Sequence, residues 1–199
     1  MRLTVPFILA SSSPRRKHLL EQIGLSFTVI PSPFEEIIPE GMPPDEIVRR
    51  LALEKANAIA IDYPDALCLG ADTIVVLAGH VLGKPVDSGD AISMLRRLSG
   101  HTHTVFTGFA LIHPISHRRI SAFEATQVTF AEMTDAEIFA YVSSGSPLDK
   151  AGAYGIQDDL GALYIERIEG DFFTVMGLPL HHFYRVLRDE FKDLIRSIA

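Results

Sequence analysis

The run Leu67-Cys68-Leu69-Gly70-Ala71-Asp72-Thr73-Ile74-Val75-Val76-Leu77 is the most apolar stretch of the chain and constrains its fold most tightly. A run this apolar, bounded by turn residues, fits a central strand buried on both faces of a sheet. Asp72 breaks the pattern. A carboxylate inside such a strand costs free energy unless it is paired, hydrogen-bonded or bound to a metal. The chain therefore needs a partner for Asp72.

Two lysines stand out on neighbouring segments. A helix is expected from Asp45-Glu46 to about Ile61, with acids at its favourable end and Pro64 beyond it. Its apolar stripe runs through Val48, Leu51, Ala52 and Ile59, and Lys55 lies four residues from both Leu51 and Ile59. Lys55 is thus on the inward face. Either its stem packs while the ammonium snorkels outward, or the charge points into a site. After the central strand, Ala78-Gly79-His80 turns the chain and Val81-Leu82 returns it to Gly83-Lys84-Pro85. Lys84 is then close to the strand that carries Asp72.

The amino-terminal region supplies a different chemistry. Phe7–Ala10 reads as a short buried strand, followed by Ser11-Ser12-Ser13-Pro14-Arg15-Arg16-Lys17. Ser13 is a good N-cap and Pro14 suits the first helical position, where its missing N–H costs nothing. Cations in a first turn oppose the helix dipole, each losing roughly 0.3–1 kcal/mol where an acid would gain it. Free backbone N–H groups, serine hydroxyls and two arginines together resemble a socket for a polyanion. The competing reading is a solvated turn with an accidental basic run. The helix carries Leu19, Leu20 and Ile23 inward and stops at Gly24. Ser26–Ile30 is a short strand, and the proline-rich segment from Pro31 to Pro44 is a loop containing Glu35 and Glu36.

Further along, Asp87 or Ser88 caps a helix with Ile92, Leu95 and Leu98 inward, and Gly100 ends it. Thr104–Ile112 and Ala122–Phe130 read as strands joined through the basic His117-Arg118-Arg119. Thr134-Asp135-Ala136-Glu137 is a capping box. Leu148 to Gln157 has too much glycine for a helix and too little alternation for a strand, and suggests a loop that closes on a ligand. Tyr164–Ile168 and Phe172–Val175 are expected to form a hairpin through Glu169-Gly170-Asp171. A last helix starts near Pro179 and buries Leu180, Phe183, Leu187, Phe191 and Leu194. This alternation favours a mixed α/β sheet with helices on both faces.

The 199 residues suffice for one substantial core, or two small lobes sharing one sheet. An apolar content of 47% with 22% charged residues excludes a disordered chain. The net charge of −7 argues against a broad nucleic-acid-binding face, though not against a local basic pocket. No apolar run approaches the ~20 residues that span a bilayer. The cations follow Phe7–Ala10 instead of preceding it, so no export signal is read and a cytoplasmic location is expected. A lone cysteine, Cys68, excludes an intrachain disulfide and Cys-based zinc sites. His101 and His103 alternate on one strand face; with no third metal partner evident, surface positions are expected for both. Walker, G-x-S-x-G and G-x-G-x-x-G patterns are absent.

The ordered fragments resemble the Maf family of nucleoside triphosphate pyrophosphatases. They are Ile8 to Arg16, Glu36, Glu54-Lys55-Ala56, Gly70 to Thr73, Gly83-Lys84-Pro85, Asp149 to Gln157, and Gly177-Leu178-Pro179-Leu180. They cover essentially the whole chain as a single domain, residues 1–199. The resemblance implies an elongated mixed α/β fold like that of the inosine triphosphatases, with a deep cleft between two lobes. It also implies a cytoplasmic enzyme, often dimeric, that hydrolyses a nucleoside triphosphate to the monophosphate and pyrophosphate with a divalent cation, Mg, Mn or Co. Arg15, Thr73 and Gln157 stand where the family separates base preferences, and the pattern is like the dTTP and UTP branch, with CTP and modified pyrimidine nucleotides as further substrates. The 7-methyl-GTP branch tends to carry Trp, Gln and Glu there. A regulatory binding role in septum formation is the alternative of another class. The Asp158-Asp159 pair departs from the pattern by lengthening its loop. On this reading Ser11, Ser13, Arg15 and Arg16 hold phosphate oxygens, Lys55 and Lys84 add charge, Glu36 and Asp72 bind the metal, and Asp72 accepts a proton. Gln157 and Thr73 face the base.

Overall fold

A computed structural model describes residues 1–34, 41–158 and 160–197. In chain order the elements are β1 (Arg2–Leu3), β2 (Phe7–Leu9), α1 (Pro14–Gln22), β3 (Thr28–Val29), α2 (Pro44–Ala60), β4 (Leu67–Leu77) and β5 (His80–Leu82). There follow α3 (Ser88–Leu98), β6 (Thr102–His113), β7 (Arg118–Phe130), α4 (Asp135–Ser143), β8 (Ile165–Glu169), α5 (Phe172–Met176), α6 (Leu180–Glu190) and β9 (Ile195–Ser197). The main sheet has the order β3-β2-β4-β6-β7-β8, with β5 paired to β4, and β1 pairs β9 separately. It is mixed: β2 runs parallel to β3 and β4, while β4–β5 and β7–β8 are antiparallel. The mixed α/β class expected from the sequence is the one observed. Among the described residues no helix is long and apolar enough to cross a membrane.

The chain divides into two compact units. The first comprises residues 1–72, 107–124 and 177–199, and the second 73–106 and 125–176.

In the first unit helices cover both sheet faces. Ile8, Cys68 and Ala110 share a cluster with Ala52, Ala56 and Ile59 of α2. Their strand neighbours Phe7 and Phe109 point the other way, and their rings lie 6.2 and 6.1 Å from that of Phe183 in α6. Helix α2 approaches the sheet backbone closely. A Cβ on Gly70 would stand 2.6 Å from the Ala56 nitrogen and overlap the Ala52 carbonyl. A Cβ on Gly108 would overlap the backbone of Val48. Two glycines on adjacent strands thus allow α2 to sit directly on β4 and β6.

In the second unit Val75 and Leu77 pack with Leu95 and Leu98 of α3 and with Ile138, Tyr141 and Val142 of α4. The Thr134 capping box forms as expected. His103 is buried instead of exposed, at 2% accessibility. Its Nε2 lies 2.7 Å from the Tyr154 hydroxyl, and its ring packs edge-on against Phe130 and Tyr154. Alternation alone did not show that a tyrosine from a distant loop would cover this position.

Two expectations at the carboxyl end are corrected. Phe172–Val175 is helical, because the Asp171 carboxylate accepts from the Thr174 N–H at 2.6 Å and its hydroxyl at 2.8 Å. β8 pairs with β7 instead, Val128 facing Ile168. Leu194 lies beyond α6, in a short 3-10 turn leading to β9.

Gly70→Ala is expected to lose about 1–3 kcal/mol of stability through overpacking, read as a lower urea midpoint. An unchanged midpoint would mean that α2 can retreat. Burial lowers His103 from its usual 6.5 to about 4, so between these values the unfolded chain binds a proton that the folded chain does not. Stability therefore falls as pH drops through that window, by on the order of 2 kcal/mol at pH 5. His103→Phe should flatten this part of the pH–stability curve.

Candidate active site

The first unit holds two groups of the expected residues, one at the start of α1 and one between α2 and β4. β2 and β4 are parallel, with Leu9 level with Leu69, and the pairing extends one step through the Ala10 N–H to the Leu69 carbonyl at 2.7 Å. Ser11 and Asp72 therefore both lie past the parallel ladder, Ser11 beyond the end of β2 and Asp72 midway along β4. Ligands in open α/β sheets commonly bind beyond the carboxyl ends of strands, where Ser11 stands.

On the amino-terminal side, Ser13 caps α1 by accepting from the Arg16 N–H at 3.5 Å, with Pro14 at the first helical position. Ser11 Oγ accepts from the Ser13 N–H at 3.2 Å and from Arg16 Nη1 at 3.1 Å. Arg16 Nε donates to the Gly177 carbonyl at 2.8 Å. Arg16 and Ser11 are buried, while Arg15 and Ser13 are half-buried. Arg16 thus joins the helix start to the Gly177–Leu180 segment and orients Ser11. This structural task was not visible in the basic run itself.

On the other side, Lys55 Nζ meets Asp72 Oδ1 at 2.6 Å. Both residues are buried, at 8% and 5% accessibility. The stem does not snorkel; the ammonium points inward. Gly70 explains the geometry, since Asp72 stands two residues beyond it and faces α2 as Gly70 does. The close approach permitted at Gly70 brings Lys55, one helical position before Ala56, onto the carboxylate. Cys68 lies on the same strand face. Burial, then Asp65, pushes its thiol up to about 12, so it packs as an apolar group and is no nucleophile.

Thr73 follows Asp72 into the second unit and is half-buried. Lys84 is exposed on its glycine-proline loop, where the Gly83 carbonyl accepts from the Gly152 N–H at 2.9 Å. This bond ties the Lys84 loop to the Asp149–Gln157 segment. Gln157 is exposed, and its Nε2 donates to Asp158 Oδ1 at 3.3 Å. Glu36, expected as a metal ligand, lies outside the described residues. Among the described residues no three metal-ligating side chains cluster.

Sequence reasoning missed the cluster behind Gln157, in which Lys150, Ser146 and Tyr141 surround the Asp158 carboxylate. The only signal was the concentration of Asp and Lys in a glycine-rich loop.

The fold and these groupings define a mixed α/β protein with a buried lysine–carboxylate pair on its central strand and a serine–arginine helix start just beyond the neighbouring parallel strand. The family profile of the Maf-like proteins matches residues 6–190, and the chain belongs to that family. A dTTP/UTP pyrophosphatase of Salinibacter ruber is 49% identical over 197 residues, covering 99% of this chain and 97% of the relative. One from Syntrophus aciditrophicus is 49% identical over 187 residues, covering 94% and 91%. One from Bacillus cereus is 48% identical over 181 residues, covering 91% and 93%.

A double-mutant cycle with Lys55→Met and Asp72→Asn should give a stability coupling of about 1–3 kcal/mol. Additive effects would show that the contact contributes nothing to the folded state.

Proposed function

We propose that the chain is a nucleoside triphosphate pyrophosphatase acting on dTTP and UTP, with CTP and modified pyrimidine nucleotides as further substrates. The observation that carries the reading is the buried Lys55–Asp72 pair on the central strand, in a chain about 49% identical to dTTP/UTP pyrophosphatases over nearly its full length. A merely structural fold would be served as well by an apolar pair of that volume.

In this reaction water attacks the α-phosphorus, the bond from that phosphorus to the bridging oxygen breaks, and pyrophosphate leaves. Asp72 accepts the proton of the attacking water. Lys55 holds the Asp72 carboxylate in one orientation and adds positive charge beside the triphosphate. Ser11, Ser13, Arg15 and Arg16 take phosphate oxygens together with the N–H groups of the α1 start. Lys84 contributes a further cation, and Thr73 and Gln157 face the base, where an amide offers both a donor and an acceptor.

Asp72 and Glu36 are oxygen donors, a chemistry suited to a hard divalent cation such as magnesium or manganese. Such an ion, when bound, neutralises charge on the triphosphate and polarises its phosphoryl oxygens.

The test is pyrophosphate release from a panel of dTTP, UTP, CTP and 7-methyl-GTP with magnesium or manganese. The expected order places dTTP and UTP first. Asp72→Asn should lower kcat by about 100-fold or more while the protein melts as a folded chain. Near-normal turnover in that variant would remove Asp72 from the reaction.

A further inference from the structure

We infer that Asp158 sets the choice between uracil-type and cytosine-type bases by fixing which way the Gln157 amide faces. The inference rests on the proposed reading, in which Gln157 meets a pyrimidine edge.

The Asp158 carboxylate is held from several directions. Its Oδ2 accepts from Ser146 Oγ at 2.6 Å and from the Tyr141 hydroxyl at 3.1 Å, and lies 3.2 Å from Lys150 Nζ. The Lys150 ammonium is itself held by the Ser146 carbonyl at 2.5 Å and Asp149 Oδ1 at 2.7 Å. Tyr141 accepts from the Gly155 N–H at 3.0 Å, and burial pushes its hydroxyl above the usual range, so it stays a donor toward Asp158. The loop is wound too tightly for side chains at two points. A Cβ on Gly155 would lie 2.5 and 2.7 Å from the Asp158 oxygens, and one on Gly161 would lie 2.5 Å from the Tyr141 hydroxyl. The carboxylate has one seat.

Its other oxygen, Oδ1, accepts from Gln157 Nε2 at 3.3 Å. A carboxylate only accepts, so the amide must turn its NH2 toward Asp158. That decides the order in which Oε1 and the remaining N–H are offered to a ligand. Gln157 and Asp158 line a cavity of about 420 Å³. Uracil and thymine carry an N3–H donor beside the O4 acceptor. Cytosine carries an N3 acceptor beside an amino donor, the opposite polarity at the same two positions. An amide free to rotate by half a turn serves both edges, whereas a held amide serves one. In the proposed reading the held orientation is the one that gives N–H to O4 and Oε1 to N3–H.

Asp158→Asn preserves the shape but can turn either a donor or an acceptor toward Gln157. Its UTP-to-CTP ratio of kcat/KM should fall about three- to tenfold, mainly through a lower KM for CTP, with kcat on UTP within about twofold of wild type. Asp158→Glu should recover part of the ratio. Ser146→Ala removes one holder of the carboxylate without touching Gln157 and should shift the ratio the same way, by less. An unchanged ratio in a folded Asp158→Asn protein overturns the inference. So does a ratio that falls only because kcat on UTP drops. Should Asp158→Asn fail to fold, an unchanged ratio in Ser146→Ala overturns it. A wild-type chain that releases no pyrophosphate from dTTP or UTP defeats the pyrimidine reading itself. A selective wild type with an indifferent variant defeats only the role of Asp158.

Discussion

The close seating of α2 on the sheet is the constraint on which the first unit depends. Gly70 and Gly108 present bare backbone to the helix, and Val48, Ala52 and Ala56 come down onto it. Small residues at this contact shorten the helix–sheet distance until a lysine on the helix reaches a carboxylate on the strand. Any side chain larger than hydrogen at Gly70 would lift the helix, and Lys55 with it. A backbone approach, not an attraction between charges, therefore sets the distance between Lys55 and Asp72.

Burying those charges has a cost that apolar packing would avoid. Removing two ions from water costs several kcal/mol each after relaxation, and their mutual attraction recovers this only with good geometry and further hydrogen bonds. The same argument applies to Lys150 with Asp158, and in part to the Arg16 charge held by the neutral Ser11 hydroxyl. In each case a polar group is held in one orientation by its partners within the fold. These three places are also where glycine-rich or hydroxyl-rich segments interrupt otherwise ordinary elements.

Much of this was legible in the residues. Asp72 is conspicuous in an apolar strand because the expense of a lone buried carboxylate is a local property. The inward face of Lys55 follows from helical periodicity, and the Ser13-Pro14 helix start and the Thr134 capping box follow from short-range hydrogen bonding. What the residues did not show has both local and long-range causes. Phe172–Val175 has strand-like composition, but Asp171 offers a nearby cap that stabilises a helical turn. His103 alternates like a surface residue, yet Tyr154 arrives from a distant segment to bury it. Arg16 reads as a phosphate ligand in the run of cations, and only its Gly177 contact gives it a second task.

The residues alone determined most of the secondary elements and their caps, the mixed α/β class and the identity of the awkward charges. These depend on periodicity and on contacts within a few positions, which a linear string contains. Tertiary structure decided that Lys55 meets Asp72, that Arg16 binds across to Gly177, and that Asp158 faces Gln157 from a seat built by Tyr141, Ser146 and Lys150. Those outcomes depend on how closely two backbones approach and which distant donors fill a carboxylate's lone pairs. Such distances exist only once the chain is packed.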